Sequence, residues 1–123
     1  MRSVLVVDDE FGIAEVLEAL LVDSGYRVTC AINGVQGLQR LHESPVDLVL
    51  LDMMMPLMDG PTMLAKLRAD PRHVATPVIV MSGLPRDVAE SRVKEPFQAY
   101  LQKPFMIQAL FDAIDAALGR KQS

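Results

Sequence analysis

The sequence contains very little cysteine: Cys30 is the single one among 123 residues. One thiol cannot form an internal disulfide, so the composition favours a reducing, cytoplasmic location. We interpret Cys30 as a small apolar residue of a strand, because a reactive thiol needs a cationic neighbour that the sequence does not supply.

A basic cluster is also absent, and the formal net charge is -4 with a pI near 5.0. This balance argues against nucleic acid as a direct ligand. No apolar run approaches the roughly 18 residues of a membrane span. The start, MRSVLVVDDE, places acids directly after a short apolar run, which is wrong for a signal peptide. We therefore expect a domain that binds neither nucleic acid nor a membrane.

Hydrophobic residues make up half of the chain, which at this length predicts one globular domain over residues 1–123. Five short apolar or β-branched runs recur, and three of them, VLVV, LVLL and VIVM, are continuous rather than alternating. Continuous runs are typical of parallel strands covered on both faces. The predicted strands are 4–7, 27–32, 48–51, 77–81 and 99–102.

Helical patterns separate these runs. The first has apolar residues at helical spacing, namely Ile13, Val16, Leu17, Leu20 and Leu21. The helix expected after Ser82 is the weakest, with a patchy stripe that Pro96 ends. Strand alternating with helix predicts an α/β fold, a doubly wound five-stranded parallel sheet with helices on both faces.

The carboxyl ends of parallel strands share one edge of the sheet, where ligands bind. The first strand ends in Asp8 and Asp9, the third in Asp52, the fourth in Ser82 and the fifth in Lys103. The second strand delivers nothing comparable, which suits an edge strand in the order 2-1-3-4-5. Three close carboxylates repel one another unless a cation joins them, and their oxygens suit Mg²⁺.

An aspartate at such a place can act as a nucleophile and hold a phosphoryl group. Lys103 would supply positive charge to a phosphoryl oxygen, and Ser82 a hydroxyl donor. We therefore interpret Asp52 as the acceptor of a phosphoryl group.

The pattern resembles the receiver domain of two-component response regulators over essentially the whole chain. The matching pieces are Asp8-Asp9, Asp52-x-x-Met-Pro-x-Met-Asp-Gly at 52–60, Ser82-Gly83, Tyr100 and Lys103-Pro104-Phe105. The resemblance implies a flavodoxin-like three-layer (βα)5 fold and a cis Lys103-Pro104 bond. It also implies a phosphorylation-dependent signalling module that catalyses only its own phosphorylation and dephosphorylation.

The resemblance further implies roles for single residues. Asp52 would be the phosphoacceptor, and Mg²⁺ would be bound by Asp8, Asp9, Asp52 and the backbone carbonyl of Met54. Lys103 would pair with Asp52 before phosphorylation and with the phosphoryl group afterwards. The switch residues would be Ser82 and Tyr100, which would move inward together.

The implied partners are a histidine kinase or histidine phosphotransfer protein as donor, and a downstream protein or fused output domain as target. The stretch KEPFQAY departs from the family pattern before Tyr100 and predicts a short fourth helix. Met54 and Leu84 occupy the two positions that flank the path of the hydrolytic water, and both are apolar. We therefore expect slow self-dephosphorylation.

Other interpretations of these residues compete with the signalling one. Asp8 and Asp9, or Ser82, could cap a helix, and Tyr100 could be a plain strand aromatic. The methionines after Asp52 are better explained as core filling than as a copper site. His42 and His73 are expected at the solvated surface.

Other functions remain as alternatives. A Mg²⁺-dependent phosphohydrolase with an Asp nucleophile commonly has a second aspartate where this chain has Met54. A flavodoxin-like cofactor site needs a phosphate-binding loop where this chain has DDEFG. A receiver-like interaction domain that is never phosphorylated would not need the complete set of acceptor-site residues.

Overall fold

Five parallel strands alternate with five helices in the computed structural model, which describes residues 1–119. The strands are β1 (Ser3–Val7), β2 (Arg27–Ala31), β3 (Leu48–Asp52), β4 (Val78–Ser82) and β5 (Ala99–Gln102). The helices are α1 (Phe11–Asp23), α2 (Gly34–Glu43), α3 (Gly60–Ala69), α4 (Arg86–Arg92) and α5 (Ile107–Leu118). The sheet order is β2-β1-β3-β4-β5, with every neighbouring pair parallel. The predicted fold and strand order are confirmed.

The three continuous apolar runs form the interior of the sheet. All residues of β3 and β4 are buried, as are the last four of β1, because helices cover both faces of these strands. The edge strand β2 alternates between exposed and partly buried positions over its first four residues. Strands β3 and β4 extend one residue beyond their apolar runs, so Asp52 and Ser82 are themselves the last strand residues.

Successive side chains of the buried strands point to opposite faces and divide the apolar interior into two cores. Leu5 and Val7 belong to the core under α2, α3 and α4. Val4 and Val6 belong to the core under α1 and α5. No buried residue is common to the two cores described for residues 1–119.

Helix α1 faces the sheet differently from the sequence prediction. Its buried residues are Ala14, Leu17 and Leu21, whereas Val16 is 58% exposed. The placement of Val16 on the buried stripe is therefore wrong. The stripe is wide, and the helix is rotated so that Ala14 rather than Val16 meets the sheet.

The remaining helices follow their sequence signals. Asn33 caps α2 through a hydrogen bond from the Gln36 amide, and Asp59 caps α3 through one from the Thr62 amide. Helix α4 has only seven residues, as the interrupted pattern predicted. Within residues 1–119, no helix has the length and apolar character needed to cross a membrane.

Candidate functional site

Two acidic side chains and one lysine meet where the central strands end. Asp8 follows β1 and is fully buried, while Asp52 ends β3 and is 5% exposed. The Lys103 Nζ atom, directly after β5, lies 2.8 Å from Asp8 Oδ2 and 3.3 Å from Asp52 Oδ1. The structure thus brings together three of the residues that the strand-end argument selected.

This arrangement shifts the titration of the two central groups. Burial, together with repulsion from Asp8, raises the pKa of Asp52 to about 6, although the charge of Lys103 works in the opposite direction. Burial by itself would lower the pKa of Lys103, but the hydrogen bond to Asp8 and the charge of Asp52 outweigh it and raise that pKa. Asp52 is therefore an electrostatically destabilised carboxylate that a further cation would stabilise.

Glu10 is a site residue that the sequence interpretation missed. Its Oε1 atom lies 3.2 Å from Lys103 Nζ. One carboxylate oxygen from each of Asp8, Glu10 and Asp52 lies within 4.8 Å of the others. The signal was present in the sequence, since Glu10 continues the acidic run DDE.

These three carboxylates fit a hard divalent cation such as Mg²⁺, which prefers oxygen ligands and is usually bound through one or two carboxylates. Asp9 is exposed and is not a member of this group. It instead lines a cavity of about 530 Å³ together with Met54 and Leu84. Met54 itself is 66% exposed.

The helix-capping alternative does not describe Asp8. The N-cap of α1 is Glu10, and Asp8 Oδ1 accepts a hydrogen bond from the Glu10 amide at 2.9 Å. Ser82 behaves similarly: its Oγ atom accepts from the Leu84 amide at 3.0 Å, while the N-cap of α4 is Pro85. Both side chains close short turns at strand ends and do not cap a helix.

Tyr100 does more than fill a strand position. Its hydroxyl donates to the carbonyl of Leu84 and lies 3.2 Å from the carbonyl oxygen of Ser82. The ring packs half-buried against the core under α2, α3 and α4. Tyr100 therefore connects β5 to the segment that follows Ser82.

The methionines after Asp52 agree with the core-filling interpretation. Met53 is buried in the core under α3, and Met55 and Met58 pack against the same core. The Lys103-Pro104 peptide bond is cis, as the resemblance implied.

The surface prediction is confirmed for His42 and wrong for His73. His42 is exposed, whereas His73 is only 5% exposed, and its Nε2 atom has no hydrogen-bond partner among residues 1–119. The guanidinium of Arg68 donates to the carbonyls of His73, Val74 and Thr76 and draws this loop inward. That clamp explains why a histidine in a polar stretch is buried.

An apolar groove lies beside the acidic site, on the face of the sheet that α1 and α5 cover. It has a volume of about 500 Å³ and runs between α1 and α5 from Glu10 and Lys103. Val16 and Ile107 line it and are each more than half exposed. Val16 therefore lines this groove and is not part of the core under α1 and α5.

Residues 4–115 match the family model of the response regulator receiver domain. Response regulator Rre1 of Synechocystis is 35% identical over 125 residues, which cover 98% of this chain and 53% of that protein. The receiver domain of Francisella response regulator 1452 is 30% identical, with a TM-score of 0.87 and coverage of 99% of this chain and 100% of that chain. The signal receiver domain of a histidine kinase from Syntrophus aciditrophicus is 29% identical, with a TM-score of 0.88 and coverage of 100% and 96%.

The chain spans about half the length of the curated relatives it matches. The family match, by contrast, covers nearly all of this chain and includes every strand end that carries a polar site residue. Sequence and structure lead to the same assignment, and the chain belongs to the response regulator receiver domain family of two-component signalling.

Proposed function

We propose that Asp52 accepts a phosphoryl group from a phosphohistidine donor and that the modification switches a partner-binding face of the domain. The observation that carries this proposal is the contact of Lys103 with both Asp8 and Asp52 at the carboxyl edge of the sheet. A buried nucleophile with a lysine at 3.3 Å provides both the attacking oxygen and a positive charge for the transferred group.

The proposed step is an in-line displacement. A carboxylate oxygen of Asp52 forms a bond to phosphorus while the phosphorus–nitrogen bond of the donor breaks. The electron pair of the broken bond stays on the donor nitrogen, and the imidazole leaves as a neutral ring because its other nitrogen already carries a proton. Lys103 Nζ lies close enough to Asp52 to bind an oxygen of the phosphoryl group once it is attached.

Asp8, Glu10 and Asp52 would hold the Mg²⁺ ion, with Asp9 and the backbone carbonyl of Met54 as further candidate ligands. The ion would supply positive charge that neutralises the phosphoryl oxygens. The raised pKa of Asp52 supports the binding of a cation, because it indicates that Lys103 alone does not fully compensate the negative charge of this carboxylate.

We propose a histidine kinase or a histidine phosphotransfer protein as the donor. The apolar groove between α1 and α5 supports this partner, because it begins at Glu10 and Lys103, and Lys103 contacts the acceptor. A docked donor surface could therefore reach Asp52 without rearrangement of the sheet. The acidic composition favours a protein, rather than nucleic acid, as the direct partner of this domain.

The contact of Tyr100 with the Ser82–Leu84 segment supports the switch roles of Ser82 and Tyr100. The Ser82 hydroxyl can donate to a phosphoryl oxygen on Asp52, and a rotation of the side chain towards that oxygen would break the bond that it accepts from the Leu84 amide. Loss of that bond would release the segment that Tyr100 holds, and thereby change the face formed by α4 and β5. A downstream protein or a fused output domain would read this change.

The test is incubation with Mg²⁺ and acetyl phosphate, followed by intact mass measurement of the wild type and Asp52→Asn. We expect the wild type to gain one phosphoryl group only with metal, and the variant to gain none. A wild type that stays unmodified and also shows no beryllofluoride response would favour an unphosphorylated interaction domain. Fast turnover of acetyl phosphate without accumulation of phosphorylated protein would favour the phosphohydrolase.

A further inference from the structure

The backbone at Asp52 makes an unusually close contact with the start of α3. Gly60 is the first residue of α3, and its amide donates to the Met53 carbonyl at 2.9 Å. A Cβ atom at Gly60 would lie 2.3 Å from the carbonyl oxygen of Asp52 and 2.8 Å from the Cα atom of Met53. Real Cβ atoms essentially never approach another heavy atom within 3.0 Å. Helix α3 therefore starts against the peptide of Asp52 at a distance that only glycine allows.

The acceptor loop, residues 53–59 between β3 and α3, is held from its other side by a second glycine. The Gly34 amide at the start of α2 donates to the Met58 carbonyl at 3.0 Å. A Cβ atom at Gly34 would lie 2.7 Å from Met58 Cγ and 2.8 Å from the Met58 carbonyl oxygen. The loop thus fits between two helix starts, and both contacts involve backbone atoms.

Within this loop, Leu57 adopts φ +67° although it is not glycine, and its side chain is 85% exposed. A left-handed conformation of this kind persists only where the surrounding structure enforces it. The Met58 amide donates across Leu57 to the Pro56 carbonyl at 2.7 Å, and the hydrogen bonds from Gly34 to Met58 and from Gly60 to Met53 hold the loop on either side of this turn.

We propose that Gly60 is a positioning residue for phosphoryl transfer, and that Gly34 supports it by fixing the far end of the acceptor loop. This inference rests on the proposed function. The absent side chain at Gly60 sets where β3 presents Asp52 and where the loop presents the Met54 carbonyl. A displacement near 1 Å in a reacting group can cost on the order of 100-fold in rate.

The experiment compares four variants of the full chain: Gly60→Ala, Gly34→Ala, Gly37→Ala and Gly12→Ala. A Cβ atom at Gly37 would meet only side-chain atoms, Met63 at 2.8 Å and Val7 Cγ2 at 3.2 Å, and one at Gly12 would meet nothing within 4 Å. Gly37→Ala is therefore the control for lost packing, and Gly12→Ala the control for the substitution itself. Urea denaturation of each variant gives its stability.

We expect Gly60→Ala to slow phosphorylation by acetyl phosphate on the order of 10- to 100-fold, and Gly34→Ala to slow it less. The ¹⁹F spectrum of the beryllofluoride adduct and the Mg²⁺ dissociation constant from calorimetry should change in both. Gly37→Ala and Gly12→Ala should keep the wild-type rate, spectrum and metal affinity. If Gly60 had only a structural role, Gly37→Ala and Gly60→Ala would have similar phosphorylation rates and metal affinities at equal stability.

Wild-type phosphorylation and metal affinity in a folded Gly60→Ala variant would overturn the inference. So would a Gly37→Ala variant that is equally impaired at equal stability. If Gly60→Ala does not fold, the test rests on Gly34→Ala. A wild-type phosphorylation rate and Mg²⁺ affinity in that variant would then overturn the inference. A wild type that gains no phosphoryl group would contradict the proposed function separately, because the Mg²⁺ affinities still report whether the two glycines position the site.

Discussion

Lys103 Nζ lies closer to Asp8 Oδ2, at 2.8 Å, than to Asp52 Oδ1, at 3.3 Å. The family resemblance implies a pair between Lys103 and Asp52, and the structure shows one lysine shared by two buried carboxylates. Asp8 is fully buried, so its negative charge relies on this contact for compensation. Lys103 therefore stabilises the free domain as well as serving the proposed chemistry.

Lys103→Met should destabilise the metal-free protein by roughly 3 kcal/mol at pH 7.5, because it leaves two buried carboxylates without their cation. Urea denaturation measures the change. The loss should shrink at pH 5, where Asp52, with its pKa of about 6, is largely protonated. Lys66→Met, at an exposed position on α3, is the matched control. Equal losses for the two variants would contradict the prediction.

Asp52→Asn should stabilise the protein at pH 7.5 when divalent metal is removed. The pKa of Asp52 rises from 3.8 to about 6 on folding, so the folded state binds more protons than the unfolded chain between these values. The stability contribution of Asp52 is therefore lost as pH rises through this window. The variant should gain about 1–3 kcal/mol at neutral pH and almost nothing near pH 4.

Calorimetric unfolding between pH 4 and 8 in a chelating buffer tests this dependence. Addition of Mg²⁺ should reduce the difference, because it stabilises the wild-type carboxylate. A difference between wild type and variant that stays constant across the pH range would show that Asp52 is not electrostatically strained.

Glu10→Gln should weaken Mg²⁺ binding by roughly two- to fivefold, since its carboxylate belongs to the acidic group but is more than half exposed. Isothermal calorimetry measures the affinity. Glu15→Gln removes the same charge from an exposed position of the same helix. If that control has an equal effect, net charge rather than a contact of Glu10 with the ion explains the change.

Met54→Asn should shorten the lifetime of the phosphoryl group on the order of three- to tenfold, because an amide can orient the attacking water and a thioether cannot. Met54 and Leu84 both line the cavity that Asp9 also lines, and neither of these two side chains can hydrogen-bond to the water through an amide or carboxylate. Met106→Asn, at another exposed methionine, is the control. The half-life is followed by intact mass after removal of the donor. An unchanged half-life counts against slow hydrolysis through Met54.

His73→Leu should leave the free energy of unfolding unchanged or raise it by about 1 kcal/mol. The buried Nε2 atom loses its water on folding and gains no partner among residues 1–119, so its removal should cost little. Urea denaturation of His73→Leu and of the exposed His42→Leu gives the comparison. A marked loss at His73 alone would show that an ordered water satisfies the ring.

The strands were predictable because their signal is local. An uninterrupted run such as LVLL has few alternatives to a covered parallel strand, and Asp52 marks its end. The rotation of α1 was not predictable in the same way. Val16 and Ala14 both lie near the apolar stripe, and only the sheet surface selects which of them is buried.

The same distinction holds for the site. Asp8, Asp52 and Lys103 could be grouped from their places at strand ends. Glu10 continues the same acidic run but lies further beyond the strand end, and only its contact with Lys103 in the folded chain identifies it as a member of the group. His73 was misplaced for a similar reason, because its burial depends on the carbonyl contacts of Arg68. Long-range contacts of this kind leave no periodic trace in the sequence.

The sheet separates the two cores, so the residues on its two faces can change independently of each other during evolution. On the proposed function, residues under α1 and α5 would change to suit a new donor while those under α2, α3 and α4 keep their packing. Changes that suit a new downstream partner would then fall on the other side of the sheet, and the acidic edge would stay the same. In such a domain the residues of one side can change while those of the other side stay the same. Duplicated copies can therefore acquire different partners and keep the acceptor site.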